Sequence, residues 1–320
     1  MSRAGMEKKM RKFRISNLAA LRMKGLENGL SGKKTGKAGD NSLPEENGEA
    51  GAAAVKAGEE ATQQEKTGTV PAEPTGGVQG LRATSRTDVG LVRRNNQDAV
   101  ILANGLMGIA DGMGGHQGGE TASSGARDGL LEALKDKKPD RVLLENAVKE
   151  VNLALWNRSA AEESLSGMGT TLSVLWPAEE KMLIAHVGDS RVYLLREGKM
   201  RQVTRDHSMV ADMVRKGLLT EEQAAVHPMR NYITRAVGTE PAIQVDMLEL
   251  ERQAGDRWLI CSYGLYGLVE KEKLQQLMSW PDLEEAADQM MREALDQGGR
   301  DNISLVLVSD EAAEGGTAVE

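Results

Sequence analysis

Residues 105–120 read GLMGIADGMGGHQGGE. An apolar run, GLMGIA, leads into Asp111, so the spacing predicts a carboxylate at the end of a strand. The glycines behind it allow the backbone to pass close to a ligand. The loop has no GK[ST] and is therefore not a P-loop, and it lacks the GxGxxG spacing of a dinucleotide site. Taken alone it reads equally well as a glycine-rich turn capped by Asp111.

Working outward, residues 119–136 and 140–160 read as helices. In the second, Leu144, Val148, Val151 and Leu155 keep helical spacing on one face, and Pro139 is expected near its first turn. Short β-rich runs follow between 169 and 203 (TTLSVLW, MLIAHV, RVYLL), broken by turn signals such as Pro177 and Gly198. A polar, partly helical insert is expected at 204–236. Further strands are expected at 242–250, 257–261 and 302–308, with helices at 270–278 and 282–296. Runs interleaved in this way predict an α+β layered domain, not a regular βαβ repeat.

Two more aspartates stand at strand ends. AHVGDSRVY (185–193) puts Asp189 in a turn between strands, and GGRDNISLVLV (298–308) puts Asp301 before an apolar strand. Each alone is an ordinary turn former. Several carboxylates converging from different strand ends would repel one another unless a cation neutralised them. Hard oxygen donors suit Mg²⁺ or Mn²⁺, and a pair of such ions can activate water and hold a phosphoryl group in line.

In order along the chain stand VRRNNQD (92–98), DGMGGHQGGE (111–120), GMGTTL (167–172), AHVGDSRVY, TRDHS (204–208), HPMRNYITRAVG (227–238), AGDRWLICSYGL (254–265) and GGRDNIS (298–304). This series resembles the bacterial PPM-family (protein phosphatase 2C-type) metal-dependent serine/threonine protein phosphatases, over about 230 residues from Leu81 to Asp310. The resemblance implies a central β-sandwich of two antiparallel sheets flanked by helix pairs, a four-layer α-β-β-α arrangement. It implies Asp111 as the bridge between two catalytic metals, the Gly112 carbonyl as a further ligand, Asp301 on the first metal and Asp98 as a supporting carboxylate. Asp189 and the Asn231 backbone match a third, weaker metal position. Arg93 is implied as the phosphate-binding residue, a task suited to its forked guanidinium. Residues 204–231 match a flap beside the cleft. The implied chemistry is direct attack of metal-activated water on a phosphoserine or phosphothreonine in a protein substrate, opposing a serine/threonine kinase, with no covalent phosphoenzyme.

One position departs from the pattern. Tyr263 stands where the family has a metal-binding aspartate. A phenol with pKa near 10 is a poor ligand for a hard ion at pH 7, so weakened turnover is expected. The alternative is a pseudophosphatase that binds phosphoproteins without hydrolysing them. Gln97 replaces a common glutamate, and Met113 leaves protonation of the leaving group to water. Cys261 has no phosphate-loop arginine after it and reads as a buried strand residue. His186 reads as packed and hydrogen-bonded, His207 and His227 as ordering the flap, and His116 as supporting the glycine loop. A Ser190/His186/Asp189 triad is excluded because adjacent strand residues point to opposite faces.

The 320 residues carry a net charge of −8, unevenly spread. Residues 1–38 hold eleven Lys/Arg against two acids and 39–80 hold two against eight, while 81–320 carry a net −11. The acidic, Gly/Ala/Pro-rich 39–80 reads as a disordered linker and 311–320 as a tail. Phe13, Leu18, Leu21 and Met23 amid basic residues allow a short amphipathic helix that would touch anionic membrane or nucleic acid; a solvated basic tail is the preferred reading. A single cysteine excludes an internal disulfide framework. With no secretory signal pattern and no run of about 18 apolar residues, the expected location is cytoplasmic.

Overall fold

The computed structural model describes residues 80–114 and 118–311. The expected basic segment, nearly all of the acidic linker and the tail beyond Glu311 lie outside these residues. Two antiparallel sheets form the centre. One runs in the order β1 (Leu81–Asp88), β11 (Ile303–Asp310), β10 (Arg257–Cys261), β7 (Arg191–Arg196), β8 (Lys199–Gln202). The other runs β2 (Asp98–Ala103), β3 (Leu106–Met113), β5 (Leu172–Pro177), β6 (Lys181–Val187), β9 (Asp246–Glu251), with the short β4 (Gly169–Thr170) beside the end of β3.

The four layers follow from the period of two along each strand. On β11, Ile303, Leu305 and Leu307 pack with Leu259 and Cys261 of β10 against α6 (Lys271–Met278) and α7 (Leu283–Asp296). The alternate residues Val306 and Val308 face inward with Trp258, Ile260, Met107, Ile109 and Ile184, filling the space between the sheets. On the far side Ala110, Val174 and Ala185 meet α1 (Gly118–Ala133) and α2 (Arg141–Ala161). Strand β11 is covered on both faces, which is why it reads as a continuous hydrophobic run from Leu305 to Val308. The implied α-β-β-α sandwich is the observed one.

Element boundaries moved for local reasons. Helix α2 begins at Arg141, because the Asp140 side chain accepts from Leu143 N at 2.8 Å and caps it; Pro139 lies before the cap, not inside the first turn. Helix α1 stops at Ala133, and Asp136 beyond it has φ +56°. Strand β9 starts at Asp246, after bends around Pro241. Strand β1 escapes the apolar pattern because Arg86 faces α7, bonding Glu284 at 2.8 Å and Asp288 at 2.6 Å. The insert contains α3 (Met209–Arg215) and α4 (Glu221–Ala225). It returns to its root through Met209 N→Tyr232 O and Thr234 N→His207 O.

Leu81 pairs with Asp310 at one end of the β1–β11 ladder, and Asp88 pairs with Ile303 at the other. The described chain therefore enters and leaves at the end remote from Asp301. No helix among the described residues is long and apolar enough to cross a membrane.

Candidate metal centre

The centre is built from a tight hairpin. Asn104 and Gly105, with φ +52° and +74°, form the two-residue turn between β2 and β3 and set Ala103 opposite Leu106. That register runs the length of the ladder and places Asp98 directly opposite Asp111. Like charges at such a position repel, so the pair needs support. Ser262 Oγ donates to Asp98 Oδ2 at 2.8 Å. The Asp111 backbone is pinned by Thr171, whose Oγ1 accepts from Asp111 N at 3.0 Å and whose N donates to Asp111 O at 2.9 Å. Strand β3 runs two residues past Asp111, so this aspartate is not the strand's last residue. At Gly112 a Cβ would strike the carbonyl oxygens of Gly119 and Gln97, which explains the glycine.

Burial pushes the Asp98 carboxyl up to about 6, aided by the charge on Asp301. Asp111 is raised well above the carboxylate range, first by burial and then by Asp98, Asp189 and Asp301. Asp189, 5% exposed, is raised to about 7 by burial and by Asp206, and its Oδ1 has no hydrogen-bond partner. As placed, no three His, Cys, Asp or Glu side chains among the described residues close into one ion-holding cluster. The close pair is Asp98 with Asp111. Mutually repelling carboxylates beside an orphaned buried oxygen nevertheless fit a hard divalent cation.

Arg93 and Asp301 face each other, Nε to Oδ1 at 2.8 Å and Nη2 to Oδ2 at 2.9 Å. The expected phosphate binder is thus paired with an expected ligand. The loop carrying Arg93 is organised by buried Asn302, whose Nδ2 donates to Val89 O at 3.0 Å and Asn95 O at 2.9 Å, while its Oδ1 accepts from Gln97 N at 2.9 Å. Asn302→Ala should cost about 2–3 kcal/mol of stability by removing three bonds from buried groups. Thermal unfolding checks this.

Tyr263 opens α5 (Tyr263–Tyr266), directly after β10. Its hydroxyl accepts from Arg230 Nε at 3.2 Å, and its ring stands edge-on to Tyr266 at 5.4 Å. The Tyr266 hydroxyl donates to Asp189 O at 2.9 Å. Asn231 is exposed on the turn beside Arg230.

Residues 84–307 match the family described as Protein phosphatase 2C. The chain belongs to this family. Serine/threonine protein phosphatase PstP of Mycobacterium tuberculosis is 40% identical over 230 residues, 71% of this chain and 44% of PstP. The chain therefore spans under half the length of that relative. Serine/threonine phosphatase stp of Listeria monocytogenes is 36% identical over 248 residues, covering 74% of this chain and 98% of stp. Among solved structures, the PstP catalytic domain in complex with two manganese ions superposes with TM-score 0.67 at 37% identity, over 72% of this chain and 98% of that one. Stp1 of Staphylococcus aureus gives 0.68 at 33%, over 72% and 95%.

In this protein phosphatase 2C the three described histidines hold structure. His186 Nδ1 lies 2.9 Å from Ser173 Oγ, and Ser190 Oγ bonds Thr171 instead, so no Ser–His relay forms. Cys261 is buried on β10. His227 Nδ1 accepts from Met229 N within the insert. His116 lies outside the described residues. His207 Nδ1 accepts from Gly188 N at 3.0 Å and its Nε2–H donates to Asp246 at 3.1 Å, joining the root of the insert to the Asp189 turn.

Burial lowers the His207 pKa, with Arg235 contributing after the raising bond to Asp246. A folded value below the unfolded one of about 6.5 means this stability is present above that pH and lost as pH falls. The His207 ring resonances should titrate below 6.5, with the Gly188 amide moving at the same midpoint. A midpoint above 6.5 would contradict the assignment. No spacing in the sequence marks Ser262, Thr171, Asn302 or Arg230 as functional. The Asn-Gly turn was the available signal for the Asp98–Asp111 register.

Proposed function

We propose that this chain hydrolyses phosphoserine and phosphothreonine in proteins, with Mn²⁺ or Mg²⁺ as cofactor, and that Tyr263 weakens the reaction. The observation that carries this reading is Asp98 facing Asp111 across the β2–β3 ladder, near an Asp189 oxygen without a partner. The names of the relatives and the manganese in the PstP domain support it.

In this reading Asp111, the Gly112 carbonyl and Asp301 would hold the catalytic ions, supported by Asp98; Asp189 and the Asn231 backbone would serve a third position. Bound there, the ions supply the positive charge that acidifies a water and polarises the phosphoryl group. The chain's own residues fix the geometry. Ser262 sets the orientation of Asp98, and Thr171 holds the Asp111 backbone still. Arg93 meets Asp301 through Nε and Nη2, which leaves Nη1 to orient a phosphate oxygen. With methionine at position 113, the leaving serine or threonine oxygen takes its proton from solvent. The natural counterpart is a serine/threonine kinase that makes the phosphoprotein.

The second reading, a phosphoprotein-binding pseudophosphatase, is favoured by Tyr263 itself, because its hydroxyl is engaged by Arg230. Phosphate release from a phosphoserine peptide across a Mn²⁺ titration separates the two. Turnover that rises with Mn²⁺ supports the enzyme; binding without release at any Mn²⁺ level supports the binder.

A further inference from the structure

We infer that Tyr263 is a positioning residue for a second phosphate-recognising group, Arg230 of the flap. The inference rests on the proposed phosphoserine or phosphothreonine substrate.

The residues flanking Tyr263 fix its place. One residue before it, Ser262 bonds Asp98 at 2.8 Å; three residues after it, Tyr266 bonds the Asp189 carbonyl at 2.9 Å. Tyr263 therefore stands in the wall of the carboxylate centre. Its neighbour Tyr266 is held under the Arg191 guanidinium, 3.8 Å from the ring centroid, and Arg191 is gripped by Asp206 at 2.8 Å. The phenol rests on a fixed stack.

Arg230 by contrast lies exposed on the turn after α4. A free arginine there would spread over many rotamers. Its Nε is donated to Tyr263 Oη at 3.2 Å, and Nη1 reaches the His227 carbonyl at 3.4 Å. Those two contacts hold the guanidinium against Tyr263, itself between residues that bond Asp98 and the Asp189 carbonyl, and leave Nη2 for a ligand oxygen.

The chemistry of the partner decides the outcome. An aspartate at position 263 would neutralise the arginine, whereas a neutral phenol orients it and leaves its full charge. Arg93 already faces the Asp301 carboxylate through two bonds. Arg230 is thus the less neutralised of the two guanidiniums, and a doubly charged phosphomonoester is its natural ligand. Tyrosine at position 263 thus puts a neutral anchor where the family has a carboxylate and leaves the Arg230 charge unpaired by that position.

The test is calorimetric binding of a non-hydrolysable phosphonate analogue of a phosphoserine peptide to the full chain with Mn²⁺ present. Arg230→Gln should weaken binding about tenfold, a normal loss for one charge-assisted bond. Tyr263→Phe, which removes only the hydroxyl, should weaken it roughly threefold and raise amide exchange across residues 227–232. The double variant should bind no worse than Arg230→Gln, since the tyrosine acts through the arginine. Native-like binding by Tyr263→Phe, or losses that multiply in the double variant, would overturn the inference and leave the substrate reading standing. Failure of the native chain to bind the peptide at any Mn²⁺ level would overturn both.

Discussion

Asp111→Asn is expected to reduce phosphopeptide hydrolysis by roughly a thousandfold, equivalent to about 4 kcal/mol of transition-state stabilisation. The amide keeps the shape of the side chain and the backbone bonds to Thr171, so the loss would report charge and not misfolding. The same substitution should stabilise the metal-free fold. Asp111 is held above its ordinary protonation range by burial and by three neighbouring carboxylates, and a neutral isostere removes that repulsion. A higher melting temperature of the metal-free protein is expected. Loss of turnover together with a higher metal-free melting temperature is a signature that damage to packing does not produce. A variant that is both inactive and less stable would assign Asp111 a structural role instead.

The second large effect runs the other way. Tyr263→Asp should tighten Mn²⁺ binding by about two orders of magnitude, the consequence of restoring one charged ligand at a few kcal/mol. It also frees Arg230 from the phenol. The variant should therefore reach maximal turnover at Mn²⁺ concentrations where the native chain is barely active. Peptide binding should weaken at the same time, because Arg230 loses the hydroxyl that orients it.

Much of this centre was legible in the sequence because its parts are local. Asp111 ends an apolar run that the eye can follow, and Asn104-Gly105 fixes the hairpin that sets Asp98 against it. The outer helices and the β10 and β11 strands follow from periodicity, which reports burial on one face or on both. Strand β1 was hidden because its polar residues, Arg86 above all, are satisfied by α7 nearly 200 residues away.

The site's finer wiring was hidden for the same reason. The resemblance implies an Arg93 open to phosphate, yet a carboxylate 208 residues later takes two of its donors. The link from Tyr263 to Arg230 joins two segments 33 residues apart and depends on where the flap comes to rest. No spacing rule encodes such a contact. Ser262 and Asn302 lie beside recognised positions, but their roles are set by what the folded loops place against them.

In the proposed reading a phosphatase centre persists here and Tyr263 weakens one metal position. A Mn²⁺ titration of phosphoserine-peptide hydrolysis by the native chain and by Tyr263→Asp tests it most directly. Native turnover should be measurable and should need about a hundredfold more Mn²⁺ than the variant. Identical Mn²⁺ dependence and turnover in the two proteins would contradict it.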